Sequence, residues 1–379
     1  EYDECEQASK QFLTYTNIDA GRKLDAQHML QNSPFAKNAM ANPVPFDPKN
    51  LGGNINTSAN EYFPSITADE NTLIWTRLDG ELGKGEENFY YSQRMDSVWK
   101  PLKDMGNGVN TTYTEGALSI SADGHTIAFA SDRPGGAGSV DIYMAQLKGG
   151  VWANIKNIGF PISVVTWDSQ PALGADGNTI YFVSKGRPDG FGGYDIYVSH
   201  RGVDGKWCIP VNMGPNINTK GDELTPFVHP DGRTLYFSSN GWPGMGGDDI
   251  FVSKMDANDV FQTPVNLGYP INTKNDDNSF IVSLDGSRAY FSSSRNTAGG
   301  DMDLYEMALY NDARPTATIY VKGMVFNQTN KTPVAASLQL IDLADGKVIY
   351  DFASDATTGN YLITVPGGKD YALNVSAKG

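Results

Sequence analysis

The chain repeats itself five times, and that repeat restricts the fold more than any other property of the sequence. An Asp-centred turn followed by an apolar strand recurs as Asp69-Glu-Asn-Thr-Leu-Ile-Trp, Asp123-Gly-His-Thr-Ile-Ala-Phe, Asp176-Gly-Asn-Thr-Ile-Tyr-Phe, Asp231-Gly-Arg-Thr-Leu-Tyr-Phe and Asp285-Gly-Ser-Arg-Ala-Tyr-Phe. The intervals are 54, 53, 55 and 54 residues. A second strand follows in phase at Asn88-Phe-Tyr-Tyr, Asp141-Ile-Tyr-Met, Asp195-Ile-Tyr-Val, Asp249-Ile-Phe-Val and Asp303-Leu-Tyr-Glu. A fixed period of this kind marks stacked supersecondary units that bury their apolar faces on one another. Each unit reads as four antiparallel strands, A to D. The Asp-Gly turn joins A to B, because both central positions of a type I′ turn accept positive φ. Four-stranded units repeated about an axis predict a mainly β chain folded as a five-bladed β-propeller. The 41 glycines and 20 prolines fit a chain dominated by turns.

The D strands bear on ring closure. They follow units one to four at residues 99–106, 152–159, 207–214 and 261–268, and unit five has none. A spare copy, Phe46-Asp-Pro-Lys-Asn-Leu-Gly52, precedes unit one. The N-terminal strand 45–52 is therefore expected to supply the outer strand of the last blade, leaving no open sheet edge. This makes residues 43–315 the propeller. Residues 1–42 lack the repeat and are helix-compatible from Asp19 to Met40, interrupted at Pro34, which predicts two short helices ended by Pro43-Val-Pro45. Residues 316–379 alternate as the strands of a C-terminal β-sandwich-like domain.

With 44 acidic and 29 basic side chains the net charge is −15, which argues against nucleic acid and anionic membrane as partners. Cys5 and Cys208 fall in different segments, so neither a disulfide framework nor a zinc site is read, and no metal or other cofactor is expected. No apolar run approaches a membrane span. The chain starts at Glu1 without a leader and reads as a mature or excised piece of a longer protein.

Strand parity puts the A–B turns on one face of the disc and the longer B–C loops and D–A connectors on the other, the face where function is expected. The connectors pair Asn56 with Glu61, Asn110 with Glu115, Ser163 with Asp168, Asn218 with Glu223 and Asn272 with Asp277, each five residues apart. That spacing predicts a ring of five acids at the channel rim, suited to a cation or a basic peptide. Arg77, Arg133, Arg187 and Arg295 close the neighbouring B strands and are expected to neutralise four of them. Unit four has Asn240 there, so Glu223 stands out as the candidate binding acid. Phe191, Trp242 and Met245 sit on B–C loops as large apolar groups and predict a protein-docking face on blades three and four. The fifth such loop runs on from Arg295 through 296–300.

Enzyme motifs are missing: there is no Gly-x-Ser-x-Gly elbow, no His-Glu-x-x-His, and no pair of histidines at ligand spacing. Aspartates such as Asp141, Asp195, Asp249 and Asp303 recur too regularly for catalysis and read as acceptors of turn hydrogen bonds. No catalytic residue is assigned, and the chain is expected not to be an enzyme. A five-bladed glycan-binding or glycoside-processing protein with carboxylates in its channel is the alternative.

The repeats resemble PD40 (TolB-type, WD40-like) propeller repeats. Together, Asn42-Pro-Val-Pro-Phe-Asp-Pro, the Asn-Leu-Gly-x-x-Ile-Asn-Thr connectors and Gly-Gly-x-Asp-Ile-Tyr are similar to OmpA-family envelope proteins of Bacteroidota, which include the PorE-type component of the type IX secretion system. The resemblance implies that residues 1–42 end a tetratricopeptide domain and that 316–379, with Thr358-Gly-Asn-Tyr and Pro366-Gly-Gly, form a carboxypeptidase-regulatory-like domain. It further implies a periplasmic scaffold associated with the outer membrane, whose partners are envelope proteins such as secretion-system subunits. Peptidoglycan would be bound only through a domain absent from this chain.

Overall fold

In the computed structural model, residues 1–80, 85–106, 108–202, 204–295 and 301–377 are described. Two helices, α1 (Tyr2–Phe12) and α2 (Ala20–Ala41), form an antiparallel hairpin fastened by Lys37, which reaches Asp3 at 2.9 Å and Glu6 at 2.7 Å. The Asp19 side chain caps α2 by accepting from the amides of Gly21 and Arg22. Sequence predicts a break at Pro34, yet α2 runs through it. The turn beyond Pro34 is held from outside: Ala36 and Ala39 are buried against Met245, beside Phe35 and Tyr269. Packing here outweighs the proline penalty, and the second helix lies earlier, at α1.

The propeller strands follow. β1 is Lys49–Asn50. Blade one holds β2 (Asn60–Ile66), β3 (Thr72–Asp79), β4 (Glu86–Met95), β5 (Val98–Trp99) and β6 (Lys103–Asp104). Blade two holds β7 (Glu115–Ile120), β8 (Thr126–Ser131), β9 (Asp141–Lys148) and β10 (Val151–Asn157). Blade three holds β11 (Trp167–Leu173), β12 (Thr179–Lys185), β13 (Asp195–His200) and β14 (Val211–Asn212). Blade four holds β15 (Glu223–Val228), β16 (Thr234–Ser239), β17 (Asp249–Lys254) and β18 (Val265–Asn266). Blade five joins β19 (Ile281–Val282), β20 (Arg288–Ser293) and β21 (Asp303–Ala308) to β1, with Lys49 opposite Glu306 and Asn50 opposite Tyr305. Every pairing is antiparallel, and the chain is a mainly β, five-bladed propeller.

The core lies between blades. Phe89 meets Phe129 edge-on across blades one and two, and Phe280, Phe291 and Tyr305 stack within blade five. The innermost strands share a device that the repeat does not advertise. Phe63, Ala117, Gln170, Thr225 and Ser279, one per blade in register, each adopt a left-handed φ between 48° and 57°. Bulges accompany this in β2, β7, β11 and β15, and amides at these positions turn toward the preceding blade. The Thr225 amide donates to Gln170 Oε1 at 2.7 Å, and the Ala117 amide to Thr76 Oγ1 at 3.2 Å.

After the short 3₁₀ turn Asn311–Ala313, β22 (Thr318–Met324) pairs with β25 (Asn360–Pro366), while β23 (Ser337–Asp342) lies between β24 (Val348–Ala353) and β26 (Tyr371–Ser376). Leu340, Ile363 and Val365 are buried between these two small sheets. This β-sandwich-like unit hangs from the A–B turn face: the Thr316 amide donates to Asp231 Oδ2 at 2.9 Å and the Thr318 amide to the Leu284 carbonyl at 3.2 Å. The helical hairpin occupies the opposite, loop-bearing face.

Candidate functional site

On the loop face each D–A connector is closed by its own acid. The Thr57 amide and hydroxyl both donate to Glu61, and the same pair of bonds joins Thr111 to Glu115, Thr219 to Glu223 and Thr273 to Asp277. In unit three the Val164 amide and the Thr166 hydroxyl share Asp168. All five carboxylates are buried, so they are clamps inside the connectors and present no charged rim to solvent. A rim is the reading that sequence spacing supports; burial of the side chains corrects it.

Three acids have their arginine. Arg133 reaches Glu115 at 2.8 Å, Arg187 reaches Asp168 at 2.9 Å and Arg295 reaches Asp277 at 3.3 Å. The residues 296–300 of that last loop lie outside the described residues. Arg77 does not join its acid: it bonds Asp79 at 2.6 Å and lies over the Tyr90 ring at 3.7 Å. Register explains the difference. Arg77 faces Glu61 at the position where Ser131 faces Glu115, two residues short of the arginine position. Burial therefore pushes Glu61 up to about 7, against the hydrogen bonds from Thr57.

Blade four solves the same problem differently. Trp242, not Asn240, stands at the arginine position, since Trp242-Pro243 matches Arg187-Pro188 at the repeat interval. Its indole Nε1 donates to the Ile217 carbonyl at 2.9 Å, as Arg133 donates to Val109 at 2.6 Å and Arg295 to Ile271 at 3.2 Å. Trp242 is thus half-buried and engaged in the blade, which corrects its expected role as a free docking group. Glu223 is left without a cation, and burial pushes it up to about 7 although Thr219 and Ser239 bond to it. Being fully buried, it is not accessible to a partner.

Met245 is also corrected. It is 2% exposed, because α2 covers it with Ala36 and Ala39, the Gly244 amide donates to Asn32 Oδ1 at 3.0 Å, and the Tyr2 hydroxyl donates to the Met245 carbonyl at 2.8 Å. Sequence places Met245 on a loop but cannot show that the chain's own helices fold back onto it. Phe191 remains 47% exposed. Two residues missed from sequence, Phe160 at 83% and Val165 at 86%, lie in the connector that leads into the same blade. The signal was present: this connector reads Gly159-Phe-Pro-Ile-Ser-Val-Val165, where its counterpart after blade three reads Gly214-Pro-Asn-Ile-Asn-Thr-Lys220. The large exposed apolar groups of this face therefore lie on blade three and its leading connector, not on blades three and four.

Two concavities stand out among the described residues. At the centre of the disc, one segment from each blade, with Phe63, Leu118, Gln170, Thr225 and Phe280, lines a small cavity of about 50 Å³. No carboxylate is among its described lining residues. A cleft of about 1240 Å³ separates the A–B turns of blades two and three from the C-terminal domain, between Gln146, Asn154, Asp176 and Arg201 on one wall and Tyr350, Phe352 and Tyr361 on the other. Its acids are committed to turns: Asp176 accepts from Asn178 and Thr179, and Asp355 accepts from Thr357 and Thr358. Among the described residues no cluster of three His, Cys, Asp or Glu side chains is placed to hold a metal ion. Asp141, Asp195 and Asp249 accept from the amides of Gly138, Phe191 and Met245, each shaping its own loop.

No protein-family model and no curated protein matches the sequence. Among solved structures the chain is similar to TolB from Acinetobacter baumannii, at 20% identity over 55% of this chain and 43% of that one, with a TM-score of 0.36; it spans less than half of the TolB chain. It is also similar to a thermostable family-43 glycoside hydrolase, at 18% identity over 68% of this chain and 93% of that one, TM-score 0.45. An endo-arabinase from Bacteroides thetaiotaomicron is similar at 14% identity over 68% and 97%, TM-score 0.46. At these identities the likeness concerns the path of the chain and assigns no substrate or activity.

Proposed function

We propose that the chain is a non-catalytic scaffold of the bacterial envelope that docks protein partners on the loop face of its propeller. The observation that carries this reading is the exposed apolar surface of Phe160, Val165 and Phe191 on one blade and its leading connector. Exposed apolar groups gathered on one face are typical of protein-contact surfaces. The resemblance of its motifs to OmpA-family proteins supports a partner among outer-membrane-associated assemblies, with secretion-system subunits first, and a periplasmic setting. Affinity capture from outer-membrane extract tests it. Wild type is expected to retain a defined partner that a Phe160→Asp/Val165→Asp variant of unchanged thermal stability releases; equal capture by both overturns the reading.

A second reading, glycan binding or processing, is favoured by the 1240 Å³ cleft, whose size and aromatic wall suit an oligosaccharide. It uses that cleft and not the channel, whose central cavity of about 50 Å³ has no carboxylate among its described lining residues. Calorimetry with oligosaccharides on wild type and Tyr361→Ala separates the two readings.

A further inference from the structure

The helical hairpin shows what a loop tip of this propeller accepts. In blade four α2 presents Asn32, Ala36 and Ala39, spaced i, i+4, i+7 on one helix face, and the two small residues close over Met245. At the neighbouring connector, Lys274 reaches Glu1 at the start of the hairpin at 3.2 Å. The hairpin is thus held by an apolar loop tip and a lysine.

Both parts recur 54 residues earlier. Phe191 occupies the position of Met245, and its amide donates to Asp195 as that of Met245 donates to Asp249. Lys220 occupies the position of Lys274, each following the threonine that clamps its connector acid. Phe191 is 47% exposed. Lys220 is exposed and forms no ion pair among the described residues. The two seats are continuous: the Gly193 amide donates to the Gly221 carbonyl at 3.0 Å, Gly221 abuts Gly241, and Trp242 anchors on Ile217 in the same connector. Pro215 replaces Tyr269, so the second seat is shallower by one aromatic wall.

We propose that Phe191 and Lys220 form a second helix receptor, which takes an α-helix of a partner protein. The helix presents small residues to Phe191 and brings a carboxylate to Lys220, as the hairpin does with Ala36, Ala39 and Glu1. This rests on the partner-docking reading and names the kind of segment that docks.

The probe is a fluorescent synthetic peptide of residues 1–42, titrated into the full chain, with a benzophenone in place of Ala36. Saturable binding is expected, with crosslinks to residues 187–193. Phe191→Asp and Lys220→Glu, both surface changes, are each expected to weaken binding about ten-fold, the effect of losing one anchor. A probe carrying Lys37→Pro is expected not to bind, since a second proline three residues after Pro34 breaks the helix that presents Ala36 and Ala39. Crosslinks confined to residues 242–246 mean exchange with the chain's own hairpin and overturn the proposal. Equal binding by the proline probe means an extended ligand and overturns it as well, as does the absence of saturable binding. Should Phe160-dependent capture of a partner persist in any of these cases, the docking function stands and only the helical identity of its ligand falls.

Discussion

The indole Nε1 of Trp242 lies 2.9 Å from the carbonyl oxygen of Ile217, at the place where blades two, three and five put an arginine. One neutral donor replaces a cation, so the connector carbonyl stays satisfied while Glu223 keeps no counter-charge. Removing the ring deletes the hydrogen bond and part of the packing between blades three and four. Trp242→Ala is expected to destabilise the chain by about 3 kcal/mol, read by urea denaturation. Trp242→Arg is expected to retain most of the stability, because Arg187 already demonstrates the fit.

The pH response of Glu223 follows from its burial. Its folded pKa of about 7 is raised from 4.5, so the folded state holds the proton more tightly than the unfolded chain. The associated stability is complete below about pH 4.5 and is lost as pH rises through 7. Glu223→Gln is expected to flatten this part of the pH profile. The relative gain at pH 8 over pH 5 is at most about 3 kcal/mol, measured as the difference in melting temperature between variant and wild type at each pH.

The Arg133–Glu115 pair makes the opposite case. Glu115 is fully buried, so Arg133→Met leaves a carboxylate without its partner, and the loss is expected to be about 3–5 kcal/mol. Adding Glu115→Gln is expected to recover a large part of it. The surface pair Lys10–Glu6 is expected to contribute far less in the same assay, because water screens it.

Closure of the ring depends on Asn50. Its Nδ2 donates to Asp303 at 2.7 Å, and its Oδ1 accepts from the Gly52 amide and from Asn56. Asn50→Ala is expected to cost about 2 kcal/mol and to raise hydrogen exchange in β21 before any other blade, because β1 is the edge that holds it.

Met245→Asp places a charge under Ala36 and Ala39 and is expected to release the helical hairpin without opening the propeller. Limited trypsin digestion would then cut at Arg22 or Lys23 while the remainder stays resistant.

The five-fold order was legible because each blade writes the same Asp-centred turn and alternating strand, and local turn chemistry suffices to produce both. The identity of the residues beside each connector acid was less legible. Arg77 differs from Arg133 by a two-residue offset that strand register resolves, since Glu61 faces Arg77 whereas Glu115 faces Ser131, and Trp242 stands at the arginine position itself. Positive φ at Phe63 and Ala117 left no trace in composition, because non-glycine residues occupy those bulges.

By itself, then, the sequence determined the number of blades, their strand order and the side of the disc that bears the long loops, all consequences of short-range pattern. Tertiary structure decided which groups on that side reach solvent. Met245 and Phe191 stand at equivalent loop positions, but α2 folds back across more than two hundred residues to bury one and leaves the other bare. Exposure is set by contacts between segments distant in the chain, and no local pattern carries that information.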